Sequence, residues 1–513
     1  MCGCRGTSWL ARILSRVERM AIAVYDVVMC PRRSTLIAAL AALALLLFTG
    51  CASTSPKPVF GDVARDVKAR AGHDVKWNQG GDDDKEVDKA VDALLARPLT
   101  ADAAVQVALL SSPALHAKLE ELAIAQADLV QAGLLKNPVF SIGSTAWESE
   151  HINPNLFVAV EQDFLDIVTM PLRKRVAAAQ LQSTRLEVGD DVLELASQVR
   201  EAFYTAQAAE QVAAMRRLVE ESAATAAELA SKQYEAGNIS DLTLTNERSL
   251  AAQAKLDRRR SEGEAAVARE KLNKRMGTWG PRTAWKMAQK LPELPRAEPP
   301  LEHLESTAIE KRLDVDAARK NLEAMGYVLS LAKTKRWTGV VNVSVEAGRL
   351  RHNNKFAFGP TVALEIPLFD QRQAQIAKLE AFKRQADDQL RALAIDVRAD
   401  VRSARARVVT ARSVVEDYGR VVVPLRESTV RYSQEQYDAM LLGVYQLIQA
   451  KQAEFESYRE YIEALRDYWI ARSDLERAAG TRIGSGPETP PPGTTTIAPV
   501  SSPPAHDHSQ HKH

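Results

Sequence analysis

Apolar positions along this chain change period several times, and the changes come in the same order twice. Over residues 100–135 they return at helical spacing, with Thr100 placed as N-cap, Asp102 and Ala103 in the first turn, and Pro138 ending the run. Residues 139–147 then alternate apolar and polar, the pattern of a half-buried strand. A polar turn with Asn153, Pro154 and Asn155 intervenes, and residues 156–165 return as a second strand. The period then reverts to helical. Pro171 suits a first turn, and helical composition continues to Tyr234, about 90–100 Å of helix at 1.5 Å per residue. Later in the chain the same plan recurs: a strand over 340–347, a turn with His352, Asn353 and Asn354, a strand over 356–369, and a helix over 371–437 with a kink expected at Pro424.

The two passes are copies at a spacing of about 200 residues. Glu161, Phe164 and Asp166 of the first match Glu365, Phe369 and Asp370 of the second, and the string from Tyr234 to Gly237 recurs from Tyr437 to Met440. Each copy stops at a glycine, Gly277 or Gly480, and residues 278–300, rich in Pro and Gly, join them. In the first long helix Val192, Leu195, Val199, Ala202, Ala206, Ala209 and Ala213 alternate steps of three and four, a coiled-coil seam lined with small residues. Two hairpins so far apart cannot close a barrel within one chain, and an isolated hairpin is marginal in water, so several chains must pool their strands.

Charge and cysteine usage narrow the picture. Lys and Arg number 67 against 66 Asp and Glu, so no positive field exists to hold a nucleic acid. The 6% aromatic content fits a helix-rich chain. Cys2, Cys4, Cys30 and Cys51 all precede residue 52, which leaves the remainder without thiol chemistry. Arg32 and Arg33 precede an apolar run at 36–48, then Thr49, Gly50 and Cys51, which reads as a secretory signal peptide with a lipid-acceptor Cys51. Phe48 stands where such lipoprotein signals prefer Leu. Residues 1–28 fit neither role, and translation from Met29 or Met20 is expected.

The joined features resemble the TolC-type outer membrane efflux protein family over residues 99–480. The strings that carry this run from Leu99 to Ala108, Gln131 to Pro138, Tyr234 to Ser240 and Ile366 to Asp370, with Pro113. The resemblance implies a mainly α fold with β hairpins. A long α-helical coiled-coil barrel would continue into four transmembrane strands per chain, pooled by a homotrimer into a 12-stranded β-barrel. It also implies a periplasmic adaptor (membrane fusion) protein and an inner-membrane pump as partners, with outer-membrane lipid around the barrel. The alternating apolar sets Phe140 with Ile142, and Leu156 with Val158 and Val160, would meet lipid. The helix-to-helix turns would form adaptor-docking tips at Gly237, Asn238, Ile239 and Ser240, and at Leu441, Leu442 and Gly443. Met440 replaces the usual glycine of the second tip, so that turn is expected to shift to Gly443. Where some members carry a ring of Asp, this chain holds Gln446 and Gln449, which implies a polar, uncharged pore constriction. The division is then a signal at 1–50, a lipid-anchored spacer at 51–98, repeats at 99–277 and 301–480 about the 278–300 linker, and a tail from 481 to 513. Without an Asp after Cys51, the resemblance implies sorting of the lipoprotein to the outer membrane.

No enzyme constellation is present: neither a phosphate loop nor a His-Glu-x-x-His pattern occurs. The tail is rich in Pro, Thr and Ser, too poor in apolar residues to fold, and carries His506, His508, His511 and His513. Clustered imidazoles suit Cu(II), Zn(II), Ni(II) or Co(II), so a transient metal ion is expected there and no other cofactor. His73, His116, His151, His303 and His352 are scattered singly, as surface or packing residues are. These features point to the exit duct of a tripartite heavy-metal pump, copper foremost. The alternatives are a duct for drugs or for type I protein secretion, and a lipid-anchored periplasmic metal-binding scaffold.

Overall fold

The computed structural model describes residues 54–145, 155–163, 165–296, 298, 302–336, 341–350 and 355–483. Cys51, the run at 36–48, Asn153, Pro154, the turn at 352–354 and the four tail histidines lie outside them.

Residues called a spacer from sequence form two helices, α1 (Lys57–Ala71) and α2 (Asp82–Leu95). Val63, Val67 and Val91 are fully buried, so this segment belongs to the core. The helix expected over 100–135 is two: α3 (Ala101–Ser111) and α4 (Pro113–Ala132). Thr100 caps as expected, its Oγ1 accepting from the Ala103 amide at 3.2 Å. Pro113 makes the break, because it cannot donate and forces Ser112 into extended backbone.

The first hairpin is β1 (Val139–Thr145) and β2 (Asn155–Asp163), and α5 (Leu165–Glu235) follows directly. At 71 residues α5 runs about 107 Å. It starts before Pro171, since Asp163 Oδ1 accepts from the Leu165 and Asp166 amides at 3.1 and 3.3 Å and caps the helix there. Pro171 is therefore interior but exposed, where water can take the carbonyl it frees. Along the seam Val192, Val199, Ala206 and Ala213 are buried, whereas Leu195, Ala202 and Ala209 are only half-buried. Ala196 and Phe203 complete the buried stripe. It is wider than a heptad seam because α5 packs against several helices rather than one partner.

After the tip come α6 (Asp241–Met276), the linker, then α7 (Leu304–Lys311), α8 (Leu313–Thr334), β3 (Val341–Leu350) and β4 (Lys355–Leu364). The strand expected over 356–369 stops at Leu364. Helix α9 (Gln373–Asp417) passes through a π turn (Tyr418–Val422) into α10 (Val423–Asp438), and α11 (Val444–Ala479) closes the described chain. The kink expected at Pro424 takes the form of that π turn, which ends two residues upstream of α10's first-turn proline.

The duplication is structural. Helices α6 and α11 each have 36 residues and end in left-handed glycines, Gly277 at φ 72° and Gly480 at φ 70°. A Cβ on Gly277 would stand 2.8 Å from Ser112 Cα, and one on Gly480 3.0 Å from Arg312 N. Ser112 separates α3 from α4 and Arg312 separates α7 from α8, so each copy seats its long helix's end on the break between its short helices.

The strands form one antiparallel sheet in the order β1-β2-β3-β4. Register sorts the residues by face. Phe140, Val160, Val345 and Pro360 lie in one cross-strand row, and Ile142, Val158 and Ala347 in another on the same face. The opposite face carries Ser141, Ala159, Glu346 and Gly359, then Val139, Glu161, Ser344 and Thr361. Leu156 pairs with Ser144 in the next row of the same alternating set as Val158 and Val160. Strands β1 and β4 pair on one side only.

Ion pairs bind the N-terminal helices and the two copies together. Arg477 Nη2 lies 2.7 Å from Asp190 and its Nε 2.9 Å from Glu194. Asp102 Oδ1 receives Arg482 Nη2 at 2.9 Å, Arg200 Nη2 at 3.2 Å and His73 Nε2 at 3.2 Å. Burial alone would raise the Asp102 pKa, but the His73 hydrogen bond and the Arg200 and Arg482 charges outweigh it and hold the carboxyl well below its usual range. A carboxyl with a depressed folded-state pKa stabilises the fold fully above its unfolded pKa, about 3.9, and loses that contribution as pH falls toward the folded value. Wild-type protein should therefore lose melting temperature on going from pH 5 to pH 3, whereas Asp102→Asn should start lower and lose less. Equal pH slopes in calorimetry would refute this.

Candidate functional site

The two helix-to-helix tips are built by one turn used twice. At the first, the Gly237 amide donates to Tyr234 O at 2.8 Å and the Asn238 amide to Gln233 O at 2.8 Å. At the second, the Met440 amide donates to Tyr437 O and the Leu441 amide to Gln436 O, both at 2.9 Å. This crossed pair needs a left-handed residue just past the helix end. Gly237 supplies it at φ 74°, and Met440 supplies it at φ 59°. The second turn has therefore not shifted to Gly443, as the sequence led us to expect. Met440 accepts the strained conformation, and Gly443 (φ −78°, ψ 151°) becomes the N-cap of α11.

Sequence thus distributes the same two requirements differently. In the first tip glycine holds the left-handed place and Ser240 caps α6, its Oγ accepting from the Thr243 amide at 3.3 Å. In the second a methionine holds the left-handed place, and the cap has no side chain to offer. The first tip also sets Tyr234 against Asp241 across the turn, and the nearby carboxylate pushes the phenol pKa up. At the second tip Val444, which offers no carboxylate, takes the place seven residues after Tyr437. The clue was present in the sequence, as a Tyr and an Asp seven residues apart astride a turn.

Their surfaces also differ. Gly237, Asn238 and Ser240 are exposed and Ile239 is half-buried. At the second tip Met440 is 94% and Leu441 80% exposed, Tyr445 and Gly443 are exposed, and Leu442 is half-buried. Gln446 and Gln449 are exposed on the first turns of α11. The Gln446 side chain folds back over the cap, so that a Cβ on Gly443 would stand 2.7 Å from its Oε1. Of the scattered histidines, His73 is buried at Asp102, burial lowers the pKa of His116, and His303 stands at φ 58° before α7. His151 and His352 lie outside the described residues. Among the described residues no three His, Cys, Asp or Glu side chains gather as metal ligands.

No family model matches the chain. Solved structures do. A membrane protein from Pseudomonas aeruginosa superposes with a TM-score of 0.65 at 18% identity, over 76% of this chain and 93% of that one. The outer membrane protein VceC from Vibrio cholerae gives 0.62 at 16% identity, over 74% and 96%. CusC, whose structures concern transmembrane channel formation, gives 0.61 at 14% identity, over 74% and 91%. This is the TolC-type channel fold. In sequence, the chain is 22% identical over 392 residues to the cobalt-zinc-cadmium resistance protein CzcC of Cupriavidus metallidurans, covering 75% of this chain and 91% of that protein. Each tip joins two long helices at the end opposite the strand the first of them follows, and the resemblance read from the sequence holds.

Replacing Met440 with glycine should relieve the left-handed strain and stabilise the second turn locally by about 1 kcal/mol. Amide exchange at residues 439–443 should slow about fivefold, as that energy dictates. Gly237→Ala should have the opposite effect at the first tip, by backbone strain alone, since nothing lies within 4 Å of a Cβ there. Unchanged exchange in both variants would refute the account of the turns.

Proposed function

We propose that this chain is one subunit of an outer-membrane exit duct in a tripartite efflux pump that exports heavy-metal cations. The observation that carries the duct is the sheet: one face gathers Phe140, Ile142, Val158, Val160 and Val345, the other mixes Ser141, Glu161, Ser344, Glu346 and Thr361 with Val139 and Phe157, two edges are unpaired, and helices about 100 Å long continue from it. Such a sheet is stable in a membrane only when closed, and four strands per chain close as 12 when three chains meet. The apolar rows of Phe140 and Ile142 then meet lipid, while Glu161, Glu346 and Ser344 face the lumen. The metal reading is supported by the likeness to a protein named for cobalt, zinc and cadmium resistance, and by the four tail histidines.

In this reading Cys51 carries the lipid anchor, and the two tips dock an adaptor that couples the duct to an inner-membrane pump. Gln446 and Gln449 line an uncharged narrowing behind the second tip. His506, His508, His511 and His513 capture cations loosely on the side the helices hang into. The chain conducts passively and performs no chemistry on its cargo.

Two measurements test this. Val160→Arg places a cation in the lipid-facing row, at a cost of about 2–4 kcal/mol near the bilayer midplane, and should abolish a heat-resistant trimer on gels. Ser344→Arg, on the opposite face, should leave the trimer intact. If both variants assemble equally, the barrel fails and a periplasmic scaffold takes its place. A deletion strain should grow poorly on copper, zinc, cobalt or nickel and recover with the intact gene. Sensitivity to drugs alone would keep the duct and discard the metal.

A further inference from the structure

All four strands reach the helices at one end of the sheet, where Val139 pairs with Glu161, Asp163 with Asn342, and Val341 with Leu364. Around that end stand Lys136, Arg173, Lys174, Lys335, Arg336 and Arg372, brought together from four separate segments of the chain. Their proximity is direct. Lys136 Nζ lies 3.1 Å from Asp163 and 3.9 Å from Asp166, and Arg173 Nη2 lies 3.0 Å from Asp166. Lys174 runs alongside Gly133, 3.2 Å from where its Cβ would be, and Arg336 Nη2 donates to Gln371 Oε1 at 3.2 Å. Asp370 Oδ1 accepts from the Arg372 backbone amide at 2.8 Å, not from its guanidinium.

Lys174, Lys335 and Arg372 have no carboxylate within ion-pair distance among the described residues. Burial lowers the Lys335 pKa, and Arg372, Arg173 and Lys136 lower it further against the single opposing charge of Asp166. Lys174, Lys335 and Arg372 therefore stand here outside the ion pairs of the described residues. At the same level large apolar side chains stand in the open: Val168 is 72%, Leu368 70% and Phe369 93% exposed, with Leu135 and Ile366 beside them.

Free cations interleaved with exposed apolar groups suit one environment, the boundary where acyl chains meet anionic headgroups. Length places the boundary there too. A ten-residue strand such as β3, tilted by about 40°, spans roughly 25 Å, the height of a barrel's apolar band, so the collar falls at the membrane surface. We infer that this collar is a binding surface for anionic phospholipid headgroups of the leaflet from which the helices hang. The inference rests on the membrane-barrel reading above and names the lipid chemistry it selects.

The test uses the full chain reconstituted in phosphatidylcholine vesicles, with spin-labelled phosphatidylglycerol or phosphatidylcholine as probe. The fraction of each lipid immobilised at the protein surface is measured. Wild type should prefer the anionic lipid by about fivefold or more, because a basic residue at an anionic surface contributes on that order. The preference should shrink in 1 M salt, which screens it without any substitution. Lys174→Gln, Lys335→Gln and Arg372→Gln combined should bring it near unity while leaving phosphatidylcholine immobilisation and trimer size unchanged. Equal immobilisation of both lipids by wild type would overturn the collar and leave the barrel standing. Immobilisation of neither lipid would remove the barrel itself. Equal immobilisation together with loss of the trimer in the triple variant would show that the cations face a second copy of this chain instead.

Discussion

A four-stranded sheet with two unpaired edges is an incomplete object. Strands β1 and β4 each leave a row of amides and carbonyls without partners, and in hydrocarbon each such group costs several kcal/mol. The long helices, by contrast, pair nearly all of their backbone within themselves. In the proposed duct the chain thus has one end whose backbone is paired within itself and one whose edges would be completed by copies of itself. The order of the sheet enforces this. β2 and β3, from different copies of the repeat, are neighbours, so the chain's own hairpins are already joined and only the outer edges remain for others.

Duplication explains how such long helices keep their alignment. Heptad packing alone tolerates sliding by whole turns, especially where alanines line the seam. Here each 36-residue helix ends in a glycine that meets the backbone of a helix break, Gly277 at Ser112 and Gly480 at Arg312. A side chain at either glycine would collide with main-chain atoms, so the contact acts as an end-stop for register. Arg477, gripping Asp190 and Glu194 across from α11 to α5, then locks one copy against the other.

Much of this was legible in the sequence. Alternation located all four strands, and glycine punctuation located the ends of α6 and α11. What failed, failed locally. Pro113 divided a helix that the apolar period ran straight through, because periodicity reports a face and not the donor that proline lacks. Pro171 was read as an N-terminus, although the cap that decides the matter, Asp163, lies eight residues upstream. Residues 57–95 looked like spacer because of their charge, yet their few valines reach the core. At the second tip the sequence showed a missing glycine but not the outcome. Hydrogen bonds fixed the turn, and the methionine conformed to it. The cations of the collar were invisible for a different reason: only the fold brings Lys136, Lys174, Lys335 and Arg372 to one level.

The π turn at Tyr418–Val422 has a mechanical consequence. Helix α5 runs unbroken for 71 residues, whereas its counterpart is interrupted there by a wider turn with a poorer hydrogen-bond ladder. The two copies are therefore staves of unequal stiffness. In a closed ring of such chains, stiff and compliant staves alternate, and a bending load gathers at the π turns while the α5 helices hold the frame.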